Sequence, residues 1–140
     1  MDTDTGDVTL LKHWCVEDCG RVINPQLVDE QIRGGIVQGL GGALYEEIHY
    51  DEDGQLLNGS MADYLVPMAA EMPDMVVGHV ETPTKESELG AKGAGEAGTA
   101  GAPAAVMNAI NDALRPLGAQ VTEMPFTPER ILRALGKLQD

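Results

Sequence analysis

Apolar residues change their spacing along this chain, and the changes predict its elements. Residues 8 to 16, VTLLKHWCV, hold the β-branched, aromatic and leucine side chains that suit a strand, after a tight turn at Thr5 and Gly6. From Pro25 to about Tyr45 the period becomes helical: at about 100° per residue, Ile32, Ile36, Leu40 and Ala43 fall on one core-facing stripe. Asn24 followed by Pro25 marks the start, because the Asn side chain can accept from a first-turn amide and Pro has its φ preset for the first helical position. Asp53 and Gly54 predict a hairpin turn between strands ending near Tyr50 and beginning near Gln55. Residues 59 to 74 have no period and read as irregular, and residues 75 to 81 read as a buried strand. A glycine-rich loop over 82 to 101 leads to a helix from about Ala102 to Leu114, with Val106, Ala109, Ile110, Ala113 and Leu114 inward and Gly118 beyond its end. A short strand at 120 to 124 and a helix from about Pro128 to Leu135, capped by Thr127, close the chain. The expected fold is α+β, a mixed or antiparallel sheet packed with about three helices in one domain. The first strand has no partner nearby in sequence, and its unpaired backbone groups require one elsewhere or in another chain.

The first helix carries an unusual face. Gly34, Gly35, Gly41 and Gly42 project within about 60° of Gln38, and Gly39 is adjacent. Each interior glycine costs roughly 1 kcal/mol relative to alanine, so the five together cost about 5 kcal/mol. Either another backbone packs closely there, or a ligand lies along this face with Gln38 as its hydrogen-bonding group.

Composition narrows the function. Lys and Arg number 9 against 23 Asp and Glu, a formal charge of −14, which argues against a nucleic acid or an anionic membrane as partner. One Trp, three Tyr and one Phe leave the core to aliphatic residues. Cys15 and Cys19, in CVEDC, have the spacing of neither a zinc knuckle nor a redox CxxC pair and read as two buried thiols. Asp51, Glu52 and Asp53 lack the ligand pattern of a calcium loop. His13, His49 and His79 form no close pair in sequence and read as structural. No basic start precedes an apolar run and no stretch approaches about 18 apolar residues, so a cytoplasmic protein is expected, with no metal bound by its own side chains.

The candidate chemistry lies in GAKGAGEAGTAG. A glycine-rich loop entering a helix can direct backbone amides at an anion. Gly93, Gly95 and Gly98 match GxGxxG, but a dinucleotide site needs a strand immediately before its first glycine, and Glu96 would repel a pyrophosphate. Lys92 is not followed by Ser or Thr, so this is no phosphate loop of the GK[ST] kind. Glu96, set between Gly95 and Ala97, is exposed to whatever the loop surrounds, which suits a general base as well as a solvated loop residue.

Four stretches in order carry a family resemblance: VEDCGRVINPQLVDEQIRGGIVQGLGGALYEE, YDEDGQLLNGSMADYLVP, HVETPTKESELGAKGAGEAGTAGAPAAVMNAINDAL and FTPERILRAL. Together they span nearly the whole chain. They resemble the C-terminal part of the molybdopterin-binding large subunit of xanthine dehydrogenases, aldehyde oxidoreductases and aerobic carbon monoxide dehydrogenases. Residues 1 to 140 are therefore read as a C-terminal section of a molybdopterin-binding domain, completed by the preceding part of the subunit.

The resemblance implies a molybdenum–molybdopterin cofactor, shared with the rest of the large subunit, and a small substrate such as an aldehyde or an N-heterocycle. It implies that Gln38, with Gly39 beside it, hydrogen-bonds the cofactor. Lys92, Gly93, Ala94 and Gly95 correspond to the loop that passes the molybdenum, and Glu96 to the catalytic base of oxidative hydroxylation. Iron–sulfur and flavin centres would lie on partner domains or subunits. Ala94 departs mildly from the valine frequent in that loop. The copper ligand of the carbon monoxide enzymes would lie outside this stretch, so neither Cys15 nor Cys19 is assigned to it. The rival readings are a non-catalytic structural or interaction fragment of the same fold and, more distantly, a nucleotide-binding domain.

Overall fold

The computed structural model describes residues 1–139. Its elements run β1 (Lys12–Glu17), α1 (Pro25–Leu44), β2 (Asp74–His79), α2 (Ala97–Leu114) and α3 (Pro128–Ala134), with single 3-10 turns before β2 and after α2. Asn24 caps α1 as its sequence requires: the side-chain oxygen accepts from the Leu27 amide at 3.3 Å, and Pro25 occupies the first helical position. Thr127 caps α3 in the same way, accepting from the Arg130 amide at 3.3 Å.

The core is the meeting of α1 and α2. Ile32, Ile36, Leu40 and Ala43 of α1 are fully buried against Ala102, Val106, Ile110 and Leu114 of α2, with Phe126 and Ile131 closing one end. At about 25 cal/mol per Å² of apolar surface, burial of such side chains supplies most of the drive for folding. Ala109 and Ala113, expected inward, are exposed. The stripe that packs is narrower because α2 rests on α1 along a single line of contact.

The sheet departs from expectation in kind. It is neither mixed nor antiparallel: β1 and β2 pair in parallel, from Lys12 opposite Asp74 to Glu17 opposite His79. The neighbour that β1 needs is thus about sixty residues further on, and a parallel connection of this sort passes through α1, as a crossover must. Three local expectations also change. The turn at Thr5 and Gly6 closes on itself through Asp2, whose backbone both donates to Asp7 and accepts from Gly6, so no strand begins until Lys12. The hairpin around Asp53 and Gly54 reduces to one bridge between Tyr50 and Leu56. Residues 120 to 124 form no strand; Asn111 instead brackets Val121, accepting from its amide and donating to its carbonyl, both at 2.8 Å.

One ion cluster joins three elements. His79 at the end of β2 reaches Glu17 of β1 through Nδ1 at 2.5 Å and Asp29 of α1 through Nε2 at 2.6 Å. Asp29 first, and then Glu17, hold its pKa above the ordinary histidine value. The two thiols part company: Cys19 is buried and Cys15 half-buried, both are free, and burial raises the pKa of each. Among the described residues no helix is long and apolar enough to cross a membrane.

Candidate functional site

The glycine-rich loop is fastened at its entry. The Lys92 amide donates to the Cys19 carbonyl at 2.7 Å, and the Arg21 amide to the Gly90 carbonyl at 3.0 Å, so residues 90 to 92 run against residues 19 to 21. Gly20 and Gly90, with φ of +70° and +74°, take the left-handed turns this pairing needs. Asp18 strengthens the junction by accepting from the amides of Gly20 and Thr82 at 2.8 and 3.1 Å, with the Lys92 ammonium 3.2 Å from its other oxygen. These bonds, those from Thr82 foremost, hold the Asp18 carboxyl well below the usual carboxylate range. The Lys92 side chain therefore points at Asp18 and its amide at Cys19, which leaves its carbonyl as the part available to a ligand in the loop.

The exit is fastened too. α2 begins at Ala97, five residues before the predicted start, so Gly98 and Gly101 are helical. Gly98 is tolerated there because α1 crosses at that turn, where a Cβ would collide with the Ile32 carbonyl oxygen, whereas a Cβ on Gly101 would have nothing within 4 Å among the described residues. Gln31 of α1 donates through Nε2 to the Gly95 carbonyl at 2.9 Å, and Thr99 Oγ1 donates to the Gly35 carbonyl at 2.9 Å. Glu96 lies between these clamps. It occupies the N-cap position of α2 with φ −114° and ψ 7°, its side chain makes no capping bond, and it is exposed. A carboxylate on a fastened backbone, not consumed by its own helix, can accept a proton from a molecule held in front of it.

The glycine face of α1 divides in two. Gly35 and Gly39 meet α2: a Cβ on Gly35 would lie 3.1 Å from Gly98 Cα, and one on Gly39 would lie 2.8 Å from Ala102 Cβ. Gly41 is filled by Pro67 and Glu46. Around Gly34 and Gly42 none of the described residues lies within 4 Å of a Cβ position. These two stand one turn either side of Gln38, whose exposed amide has no hydrogen bond among the described residues. Gly93 and Gly95 are equally open. Gln31 and Gln38 share one side of α1, seven residues and about 10 Å apart, so the fold puts Gln38 and the loop along one flank without bringing them into contact. A cofactor lying on this flank fits the residues present, because the open glycines and the unpaired amide have no other partner among the described residues. Among the described residues no His, Cys, Asp and Glu group could hold a metal by itself.

Gln31, Thr99 and Asp18 were not picked out by sequence reasoning. For Gln31 a signal existed: it precedes Gln38 by seven residues and so shares its helical side. Asp18 and Thr99 gave none, since each acts on backbone groups distant in sequence.

The family model of the molybdopterin cofactor-binding domain matches residues 1–73, just over half of the 140. The chain is 48% identical over 134 residues to the large subunit of nicotine 6-hydroxylase of Paenarthrobacter nicotinovorans, covering 96% of this chain and 16% of that protein. Among solved structures, quinoline 2-oxidoreductase from Pseudomonas putida 86 superposes with a TM-score of 0.85 at 47% identity, covering 89% of this chain and 16% of that one. The Cu,Mo-CO dehydrogenase superposes with a TM-score of 0.90 at 34% identity, covering 98% of this chain and 18% of that one. The chain belongs to the molybdopterin cofactor-binding domain family. It spans about a sixth of the length of the relatives it matches.

Proposed function

We propose that the chain supplies a C-terminal section of the large subunit of a molybdenum hydroxylase, carrying part of the cofactor contact and the catalytic base. The observation that carries this reading is the setting of Glu96, an uncommitted carboxylate with the carbonyl of the preceding Gly95 and the hydroxyl of Thr99, three residues on, each bonded to α1. When bound, the molybdenum–molybdopterin group supplies the two-electron redox chemistry that hydroxylates an electron-poor carbon. Glu96 takes up the proton released at the attacking oxygen on one of its carboxylate oxygens. Gln38 offers its side-chain amide to the cofactor's polar atoms, with the open Gly34 and Gly42 leaving room beside it, while Gly39 next to it packs on α2 and fixes that turn of the helix. The loop Lys92, Gly93, Ala94 and Gly95 offers the same group the amides of Gly93, Ala94 and Gly95 and the carbonyls of Lys92 and Gly93, the Lys92 amide and the Gly95 carbonyl being held by Cys19 and Gln31. Substrate is a small aldehyde or N-heterocycle. The remainder of the large subunit completes the site, and iron–sulfur and flavin subunits carry electrons away.

The test is Glu96→Gln in the assembled enzyme. The substitution is nearly isosteric and removes the proton acceptor. Loss of a positioned base lowers the rate about 100- to 10,000-fold, which raises the barrier by roughly 3 to 5 kcal/mol. Molybdenum content is expected to hold while reduction of the centre by substrate collapses; reduction near the wild-type rate would overturn the assignment. The purified chain alone is expected to contain no molybdopterin, because contacts from a sixth of a subunit do not offset the cost of association. Metal analysis of the lone chain checks this.

A further inference from the structure

The two fastenings of the glycine-rich loop belong to different elements. Asp18 and Cys19, which follow β1, hold its entry, and Gln31 and Gly35 of α1 hold its exit. Their separation depends on how α1 sits on the sheet, and two polar links set that contact. Arg33 of α1 donates through Nη1 to the Met75 carbonyl of β2 at 3.0 Å. His79, four residues further along β2, meets Asp29 of α1 at 2.6 Å and Glu17 of β1 at 2.5 Å. Asp29 and Gln31 are two residues and about 200° apart round the helix, so α1 grips the sheet on one side and the loop exit on the other. Glu17 adjoins Asp18. His79 is thus bonded both to the neighbour of the entry fastening and to the helical turn that carries the exit fastening.

Both ring nitrogens face carboxylates, and only the imidazolium can donate to both; a neutral ring has one donor and turns a lone pair on the other partner. Loss of the proton therefore forfeits one of the two bonds. Glu17 needs its bond more. Its side chain is 6% exposed, and its Oε2 has no hydrogen-bond partner among the described residues, so without His79 it is a buried charge left uncompensated. Asp29 is 42% exposed and water can take over its hydration, so the bond to α1 is the one that opens. The other groups nearby do not stand in. Arg33 is engaged by the Met75 carbonyl and Lys92 by Asp18, and burial first and then Glu17 push the Cys15 and Cys19 thiols up, so they bring no charge.

We propose that His79 is a positioning residue for the hydroxylation: bonded at once to Glu17 and Asp29, it braces the loop entry against the loop exit and so fixes where Glu96 stands. This rests on the reading of Glu96 as the base. His79 acts only through its two partners and the backbones they hold. A base displaced by about 1 Å can lose on the order of 100-fold in rate, so a small shift of α1 on the sheet is enough to matter. The brace is closed while His79 is charged, and Asp29 first, then Glu17, extend that state above the ordinary histidine value of about 6.5. The rate accordingly stays high below the raised pKa and falls as pH rises through it. On the acid side it is limited instead by ionisation of Glu96.

The experiment follows reduction of the molybdenum centre in the assembled enzyme across pH, per molybdenum bound, with benzaldehyde or quinazoline, whichever the wild type oxidises faster. The wild-type rate is expected to fall about tenfold or more on the alkaline side. His79→Gln, which carries no charge, should show the low rate throughout and lose the alkaline limb. His79→Lys, whose ammonium can donate to both carboxylates, should keep the high rate to higher pH than the wild type. Asp29→Ala removes the helix-side partner at a part-exposed position and should resemble His79→Gln. A wild type without an alkaline fall, variants that keep the wild-type limb, or His79→Lys matching His79→Gln would each overturn the proposal. So would variants that lose molybdenum, since the cluster would then support the fold rather than the base. Glu96→Gln separates the two readings. Near wild-type reduction by that variant, or oxidation of neither probe by the wild type, sinks the functional reading and the brace with it. An inactive Glu96→Gln beside unchanged alkaline limbs in the other three variants sinks the brace alone.

Discussion

Two sets of glycines on the same helix meet opposite surroundings. Gly35 and Gly39 lie where α2 crosses, and with Gly98 they let two backbones approach more closely than side chains allow. Gly34 and Gly42, a few residues away, border open space next to Gln38. All four carry the same intrinsic penalty, roughly 1 kcal/mol each relative to alanine in a helix. For the first pair the chain itself supplies the compensation, in the packing of α1 on α2. For the second it supplies none, which is why this flank reads as facing something that the chain does not contain. A glycine pattern by itself reports close approach, and the surroundings of each glycine report by what.

The contrast breaks most severely at Gly98. Gly98→Val drives a branched side chain into the Ile32 carbonyl and is expected to cost about 3 kcal/mol or more, since neither backbone can give way without undoing the crossing. Thermal denaturation of the lone chain checks this, and a variant as stable as the parent would mean that the helices do not cross there.

Next in size is the ion cluster that holds the sheet to α1 independently of any glycine. Because the folded pKa of His79 is raised, its contribution is complete below the ordinary value of about 6.5 and fades as pH rises through the folded value. The chain should accordingly be more stable at pH 6 than at pH 9 through this group, and His79→Gln should flatten that part of the profile in denaturant titrations. An unchanged slope would show that the cluster is not coupled to folding.

The smallest effect sharpens the comparison most. Gly34→Ala and Gly42→Ala should each stabilise the lone chain by roughly 0.5 to 1 kcal/mol, because they remove backbone entropy from the unfolded state and meet no obstacle in the folded one. In the assembled enzyme the same changes should lower molybdopterin content. Stabilisation without any loss of cofactor would leave Gln38 on an ordinary solvent face.

The sequence by itself determined the features that depend on near neighbours. Asn24 and Pro25 placed the start of α1, Thr127 placed that of α3, and the apolar stripe from Ile32 to Ala43 is buried as its period required. The order of the four motifs placed the chain in its family, and the glycine-rich stretch marked Glu96 as the acid to consider. The tertiary structure alone decided the rest. Strand direction depends on which segments meet across about sixty residues, so His13 opposite Met75 and Glu17 opposite His79 leave no local trace. The early start of α2 was hidden because Gly98 and Gly101 disfavour a helix locally; packing against Ile32 reverses that preference at Gly98. Gln31 was in view as one polar residue among several on α1, but only the folded chain could bring its amide to Gly95, sixty-four residues later, because a hydrogen bond is a condition on distance in space and a sequence records only distance along the backbone.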